Sequence, residues 1–86
     1  MPRPLLSKDE RAQGKRLGGE LRRLRGNRTA AEVADEAGVS LDTLRKLEQG
    51  GTPTPGFFLI ARVARALDTP LNQLADNVMS GRRRRR

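Results

Sequence analysis

The sequence predicts an all-α fold of five helices. Two observations carry that reading. Apolar residues recur at three- and four-residue spacing along the chain, and no stretch alternates as a half-buried strand does. Each periodic stretch is also punctuated, with Ser or Thr before it and glycine or proline after it.

Residues 1–7 read as an extended arm, because Pro2 and Pro4 disfavour helix around them. Ser7 followed by Glu10 is a capping box that can start a helix. Gly14, Gly18 and Gly19 weaken that helix by about 1 kcal/mol each relative to alanine. Residues 1–14 are therefore expected to be an arm or a helix extension. The firm first helix is Lys15–Arg25, with Leu17, Leu21 and Leu24 on one side and Gly26-Asn27 as its stop. Thr29 and Glu32 form a second capping box. Ala30, Val33, Ala34 and Ala37 give the second helix its apolar face, and Gly38 ends it.

Ser40 caps the third helix, expected over Leu41–Gln49 with Leu44 and Leu47 inward. Thr54 as cap with Pro55 in the first turn is expected to start the fourth helix. Its inner stripe reads Phe57, Ile60, Val63, Ala64 and Leu67. Thr69-Pro70 repeats that signal ahead of a fifth helix, Leu71–Val78, with Leu74 inside. The division expected is therefore an arm or extension over 1–14, a folded domain over 15–79 and a disordered Arg-rich tail over 80–86.

Composition narrows the chemistry. A chain of 86 residues makes one domain with a marginal core, burying roughly 60–65% of its unfolded surface. The sequence has no Cys and no His, which removes disulfides, thiolate or imidazole metal sites and the usual general base. Neither phosphate-cradling glycine motif occurs, and Asp35 and Glu36 diverge on a helix surface. No catalysis, cofactor or metal is expected. No apolar run spans a membrane and no secretion signal opens the chain, so the expected location is the cytoplasm.

The net charge of +8 points to a polyanion, and its distribution sharpens the point. Residues 1–28 carry nine Lys/Arg against three acids. Residues 29–53 carry two against five, a net of −3, and residues 54–86 carry seven against two. Five of those seven are Arg82–Arg86, a tail that can follow a phosphate backbone, enter a narrow minor groove or stay solvated.

Two short helices joined by Gly38-Val39 have the helix-turn-helix pattern. In that arrangement the first helix braces across the DNA backbone and the second lies in the major groove. Ala34 and Ala37 are small where the helices cross, and Gly38 tolerates the turn's positive φ. An ordinary helical hairpin uses the same residues.

Leu17-Gly-Gly-Glu-Leu-Arg-Arg-Leu-Arg25, Glu32-Val-Ala34, Ala37-Gly-Val-Ser40, Thr43-Leu44, Leu47-Glu48-x-Gly50 and Arg65-Ala-Leu67 add specificity. Together, over about residues 15–78, they resemble the lambda-repressor-like (Xre/Cro-type) family of bacterial and phage regulators. The resemblance implies a five-helix domain that binds operator double-stranded DNA, usually as a homodimer. It implies base contacts from Leu41, Asp42 and Lys46, with Arg45 at the edge. Lys46 would donate to guanine, Asp42 would accept from cytosine and Leu41 would meet a thymine methyl. It also implies an ion pair between Arg25 and Glu48, with Arg22 as the alternative partner.

Phosphate contacts are expected from Arg22, Arg23 and Arg28, from the backbone at Thr29 and Ala30, and from Ser40, Gln49, Thr52 and Thr54. Here the chain departs from the family, which usually carries Gln where Ala30 stands. Its loop before the second helix is about two residues short and its loop before the fourth about two long. Phe58, Val78 and Met79 are the apolar candidates for a dimer or partner surface, with Pro4, Leu5 and Leu6 as a possible cover for Phe58. Two rival functions follow from the same residues. One is an Xre-type protein-interaction module, such as an antitoxin or a transcription-complex partner, favoured by the acidic middle segment. The other is nonspecific coating of nucleic acid by the Arg tail.

Overall fold

A computed structural model describes residues 7–79, so residues 1–6 of the expected arm and the expected tail over 80–86 lie outside the described residues. The described chain is five helices and their turns: α1 (Lys8–Arg25), α2 (Ala30–Ala37), α3 (Leu41–Glu48), α4 (Phe57–Ala66) and α5 (Leu71–Met79). No strand occurs among the described residues. α1 packs against α3 and α5, α2 packs against α3 and α4, and α4 also meets α5. α3 is thus held between α1 and α2.

The local signals explain most of the boundaries. Both capping boxes form, Ser7 with Glu10 and Thr29 with Glu32, each with its two reciprocal bonds. α1 therefore starts at Lys8 and runs unbroken through its glycines for 18 residues. Two of those glycines have a packing reason. A Cβ on Gly18 would stand 2.5 Å from the Glu48 carbonyl oxygen, and one on Gly14 would stand 2.8 Å from that of Gly50. α1 and the end of α3 are in backbone contact there, which no side chain permits. Gly38 sits at φ 73°, ψ 32° and closes α2 through its N–H. Ser40 Oγ accepts from the Thr43 N–H at 3.0 Å and starts α3 two residues later.

The core is apolar throughout: its buried residues include Leu17 and Leu21 of α1, Val33 of α2, Leu44 and Leu47 of α3, Val63 of α4 and Leu74 of α5. Each large aliphatic side chain there contributes about 2 kcal/mol by leaving water.

Three expectations for α4 and α5 are corrected. α4 starts at Phe57 with Gly56 as its cap and no side-chain cap bond, so Thr54 and Pro55 stay in the loop. The loop is tied to α1, because Gln13 Nε2 donates to the Pro53 carbonyl at 3.1 Å, and the helix begins only beyond that anchor. Phe57 belongs to no inner stripe: it is 62% exposed, one turn ahead of half-buried Ile60. Thr69 does not cap α5, since its hydroxyl donates backward to the Leu67 carbonyl. Pro70 precedes that helix, its carbonyl accepting from the Leu74 N–H.

Candidate nucleic-acid interface

α3 has a strict inside and outside. Leu44 and Leu47 are buried, and Asp42, Arg45 and Lys46 are exposed. Arg45 and Lys46 make no hydrogen bond or ion pair with any described residue. Leu41 is half-buried, part of its side chain resting on the core. Ser40 Oγ is engaged twice, accepting from the Thr43 N–H and donating to Thr43 Oγ1 at 2.7 Å.

The seat of α3 is rigid at its far end. Arg25 holds Glu48 with two bonds, Nε to Oε2 at 2.8 Å and Nη2 to Oε1 at 2.9 Å. Its Nη1 donates to the Arg28 carbonyl at 2.9 Å. The Glu48 side chain is 8% exposed, so this pair is desolvated on the carboxylate side. The hydrogen bonds that Arg25 donates to Glu48 also hold its guanidinium above its ordinary pKa. The paired fork fixes geometry as well as charge. Of the two partners expected for Glu48, Arg25 takes the position and Arg22 stays free.

Arg22 lies elsewhere to good effect. With Arg25, Ala30, Arg45, Glu48 and Gln49 it lines one polar cleft between the end of α1, the start of α2 and the outer side of α3. Four residues singled out separately in the sequence, Arg22, Ala30, Arg45 and Gln49, are thereby brought together. The Thr29–Glu32 capping box uses the N–H groups of Thr29 and Glu32, so the cleft's helix terminus presents those of Ala30 and Ala31.

Other expected contacts point away. Arg23 Nε donates to Glu20 Oε1 at 3.1 Å, and Glu20 also accepts from Asn77 Nδ2 at 2.8 Å, which turns Arg23 toward α5. Arg28 donates to the Ala66 carbonyl at 2.9 Å and pairs with Glu36, which ties it to α4 and α2. Arg23 is claimed by Glu20 within its own helix and Arg28 by Ala66 and Glu36. Thr54 is exposed and Thr52 half-buried in the loop before α4.

The apolar candidates divide as well. Phe58 is 76% exposed and stacks edge-on with Phe57, ring centroids 5.3 Å apart. Met79 is 67% exposed. Val78 is corrected: it is buried in the chain's own core, and its carbonyl accepts from Arg16 Nε at 2.9 Å. A groove lined by Leu17, Pro53, Ile60, Leu71, Leu74 and Met79, among others, opens beside it.

Lys15 was not singled out in the sequence and belongs near this interface. A Cβ on Gly50, just past α3, would meet its Cα and Cγ at 3.1 Å. The seven-residue spacing from Lys15 to Arg22 is the signal that places both on one face of α1.

Among the described residues no helix is long and apolar enough to cross a membrane. No curated protein matches the chain closely enough to serve as a relative. The helix-turn-helix domain family matches residues 16–76, which takes in the end of α1, all of α2, α3 and α4, and most of α5. That match covers well over half of the chain and agrees with the lambda-repressor-like resemblance of its motifs: the chain belongs to the helix-turn-helix domain family.

Proposed function

We propose that this protein is a sequence-specific transcriptional regulator that lays α3 in the major groove of double-stranded DNA and works as a homodimer. Membership of the helix-turn-helix family supports DNA binding at the coarse level. The observation that carries the finer reading is the outer face of α3, where Arg45 and Lys46 are exposed and uncommitted on a helix whose other side is locked down. Lys46 and Asp42 read base edges, Arg45 works at the edge of the groove, and Leu41 offers its exposed part to a thymine methyl.

The cleft beside α3 is the phosphate seat. Ala30 has no side-chain donor to offer, and Arg22 across the cleft supplies one in its place. Arg45, Gln49 and the first N–H groups of α2 complete it. Ser40, Thr52 and Thr54 are secondary donors around the same face. In this reading the protein acts on the bacterial nucleoid in the cytoplasm. Neutralising about six phosphates would lower affinity roughly a thousandfold between 50 and 200 mM salt.

The test is selection of bound duplexes from a random pool, followed by two variants. Lys46→Ala is expected to change the ranking of operator variants, while Arg22→Ala weakens all of them about equally. Failure of the wild type to enrich any sequence would overturn the reading. Equal losses across operators for Lys46→Ala would remove Lys46 as a base reader.

One observation favours a protein partner as well: Phe57, Phe58 and Met79 are all exposed. A second copy of the chain is the partner proposed for Phe58 and Met79. Phe58→Ser is then expected to shift sedimentation from dimer to monomer. An unchanged wild-type monomer, with capture of a different protein, would favour the interaction-module reading.

A further inference from the structure

We propose that Lys8, Lys15 and Arg22 form a cationic ridge that follows the phosphate backbone beyond the edge of the helix-turn-helix footprint. The inference rests on DNA being the ligand, and it adds a contact surface outside the matched unit. Residues 16–76 carry the family match, so Lys8 and Lys15 stand on two turns of α1 that precede it.

The three residues are seven apart in sequence and therefore share one face, drifting only about 20° per step. From Lys8 to Arg22 the ridge runs about 21 Å along the helix. Arg11 shares that face. The three acids of α1 lie on other faces: Asp9 stands about 100° round the helix from Lys8, Glu10 caps Ser7, and Glu20 is bound to Arg23 and Asn77. Lys8, Lys15 and Arg22 make no hydrogen bond or ion pair with described residues, and all three are exposed.

The ridge is continuous with the interface. Lys15 lies over Gly50 just past the end of α3, and Arg22 lines the cleft with Arg45 and Gln49. Gly19, between them, has nothing within 4 Å of where a Cβ would stand, so no bulky side chain interrupts the surface.

Asp9 and Glu10 already supply the negative charge that the start of α1 favours, so helix stability does not call for Lys8 in the same turn. The two extra turns between Lys8 and Lys15 cover about 10 Å, the axial length of about three phosphates of one strand.

The experiment uses the full chain and the duplex it selects from a random pool. Lys8→Gln with Lys15→Gln is expected to make the slope of log affinity against log salt shallower by about 1.8. The wild-type advantage is then about tenfold smaller at 200 mM than at 50 mM salt. Hydroxyl-radical protection should shrink at the outer edge of the site, with the ranking of operator variants unchanged. Lys8→Arg with Lys15→Arg should restore slope and footprint. Arg62→Gln with Arg65→Gln, the same charge change on α4, is the control.

An unchanged slope and footprint in the Gln variant, or an equal loss in the α4 control, would overturn the ridge while leaving operator binding intact. If the wild type selects no duplex at all, the DNA reading itself falls and the ridge with it. Matched thermal melts of the variants confirm that folding is not what changed.

Discussion

The two faces of α1 solve opposite problems. One face gives up side chains altogether: Gly14 and Gly18 let backbone meet backbone at the end of α3, and Arg25 finishes the seam by clasping Glu48. The other face carries Lys8, Lys15, Gly19 and Arg22, whose three cations are exposed and make no hydrogen bond or ion pair with the described chain. Both faces hold glycine, yet for unrelated reasons. The contrast teaches that a glycine in a helix costs the same propensity wherever it stands, and only its surroundings reveal whether anything is gained in return.

The sharpest break of that contrast is Gly18→Ala. The new methyl would stand 2.5 Å from the Glu48 carbonyl and 2.6 Å from that of Leu47, both backbone atoms that cannot turn aside. Overpacking of this kind costs about 3 kcal/mol, which lowers the melting temperature by about 12–24 °C in a domain of this size. DNA affinity should fall with it, because α3 loses its seat. A melting point within a few degrees of wild type would mean that α1 and α3 separate easily and that the seam is not rigid.

Next in size is Glu48→Ala, which leaves the Arg25 fork facing the seam with no carboxylate. Removing one partner of such a pair costs about 2–3 kcal/mol. A double-mutant cycle with Arg25→Ala isolates the coupling. Coupling near zero would assign the whole seat to the glycine contact and leave the ion pair as decoration.

Sequence alone revealed the packed side of this comparison unevenly. Ser7, Thr29, Ser40 and Gly38 were legible because caps and left-handed turns are local chemistry, complete within four or five residues. The Arg25–Glu48 pair was reached only through the family resemblance, and spacing did not reveal it. The departures have both distant and local causes. Thr54-Pro55 has the local form of a helix start, but it lies in a loop tied to α1 by the bond from Gln13 to Pro53, 40 positions away, and α4 starts only at Phe57. Arg23 and Arg28 were expected at phosphates; Arg23 is held by Glu20, an i,i+3 neighbour, and Arg28 by the Ala66 carbonyl, 38 positions away, and by Glu36. Val78 and Met79 are neighbours with the same apolar signal, and only the packing of α5 on α1 decides which one is buried.

A third edge of α1 meets α5, and acid should loosen it. The hydrogen bond from Arg23, chiefly, holds the Glu20 carboxyl below its ordinary pKa; burial opposes that, and the bond from Asn77 assists. The folded value is therefore lower than the unfolded one. The stabilisation is complete above the unfolded pKa and is lost as pH falls through the folded value. Wild type should lose more stability on acidification than Glu20→Gln, read as melting temperature against pH. Parallel curves for the two proteins would show that Glu20 does not tie α5 in solution.

The smallest effect is the most diagnostic for the open face. Gly19→Ala differs from Gly18→Ala by one position, and its methyl would meet nothing within 4 Å. Its backbone is already helical, so alanine removes unfolded-state freedom without strain. The expected gain is about 0.5–1 kcal/mol, or a rise of about 2–8 °C in melting temperature. Alanine adds no charge, so the salt dependence of DNA binding should stay as it is. A loss of stability instead would mean that the free protein covers this face with another surface, and the two faces of α1 would no longer differ in kind.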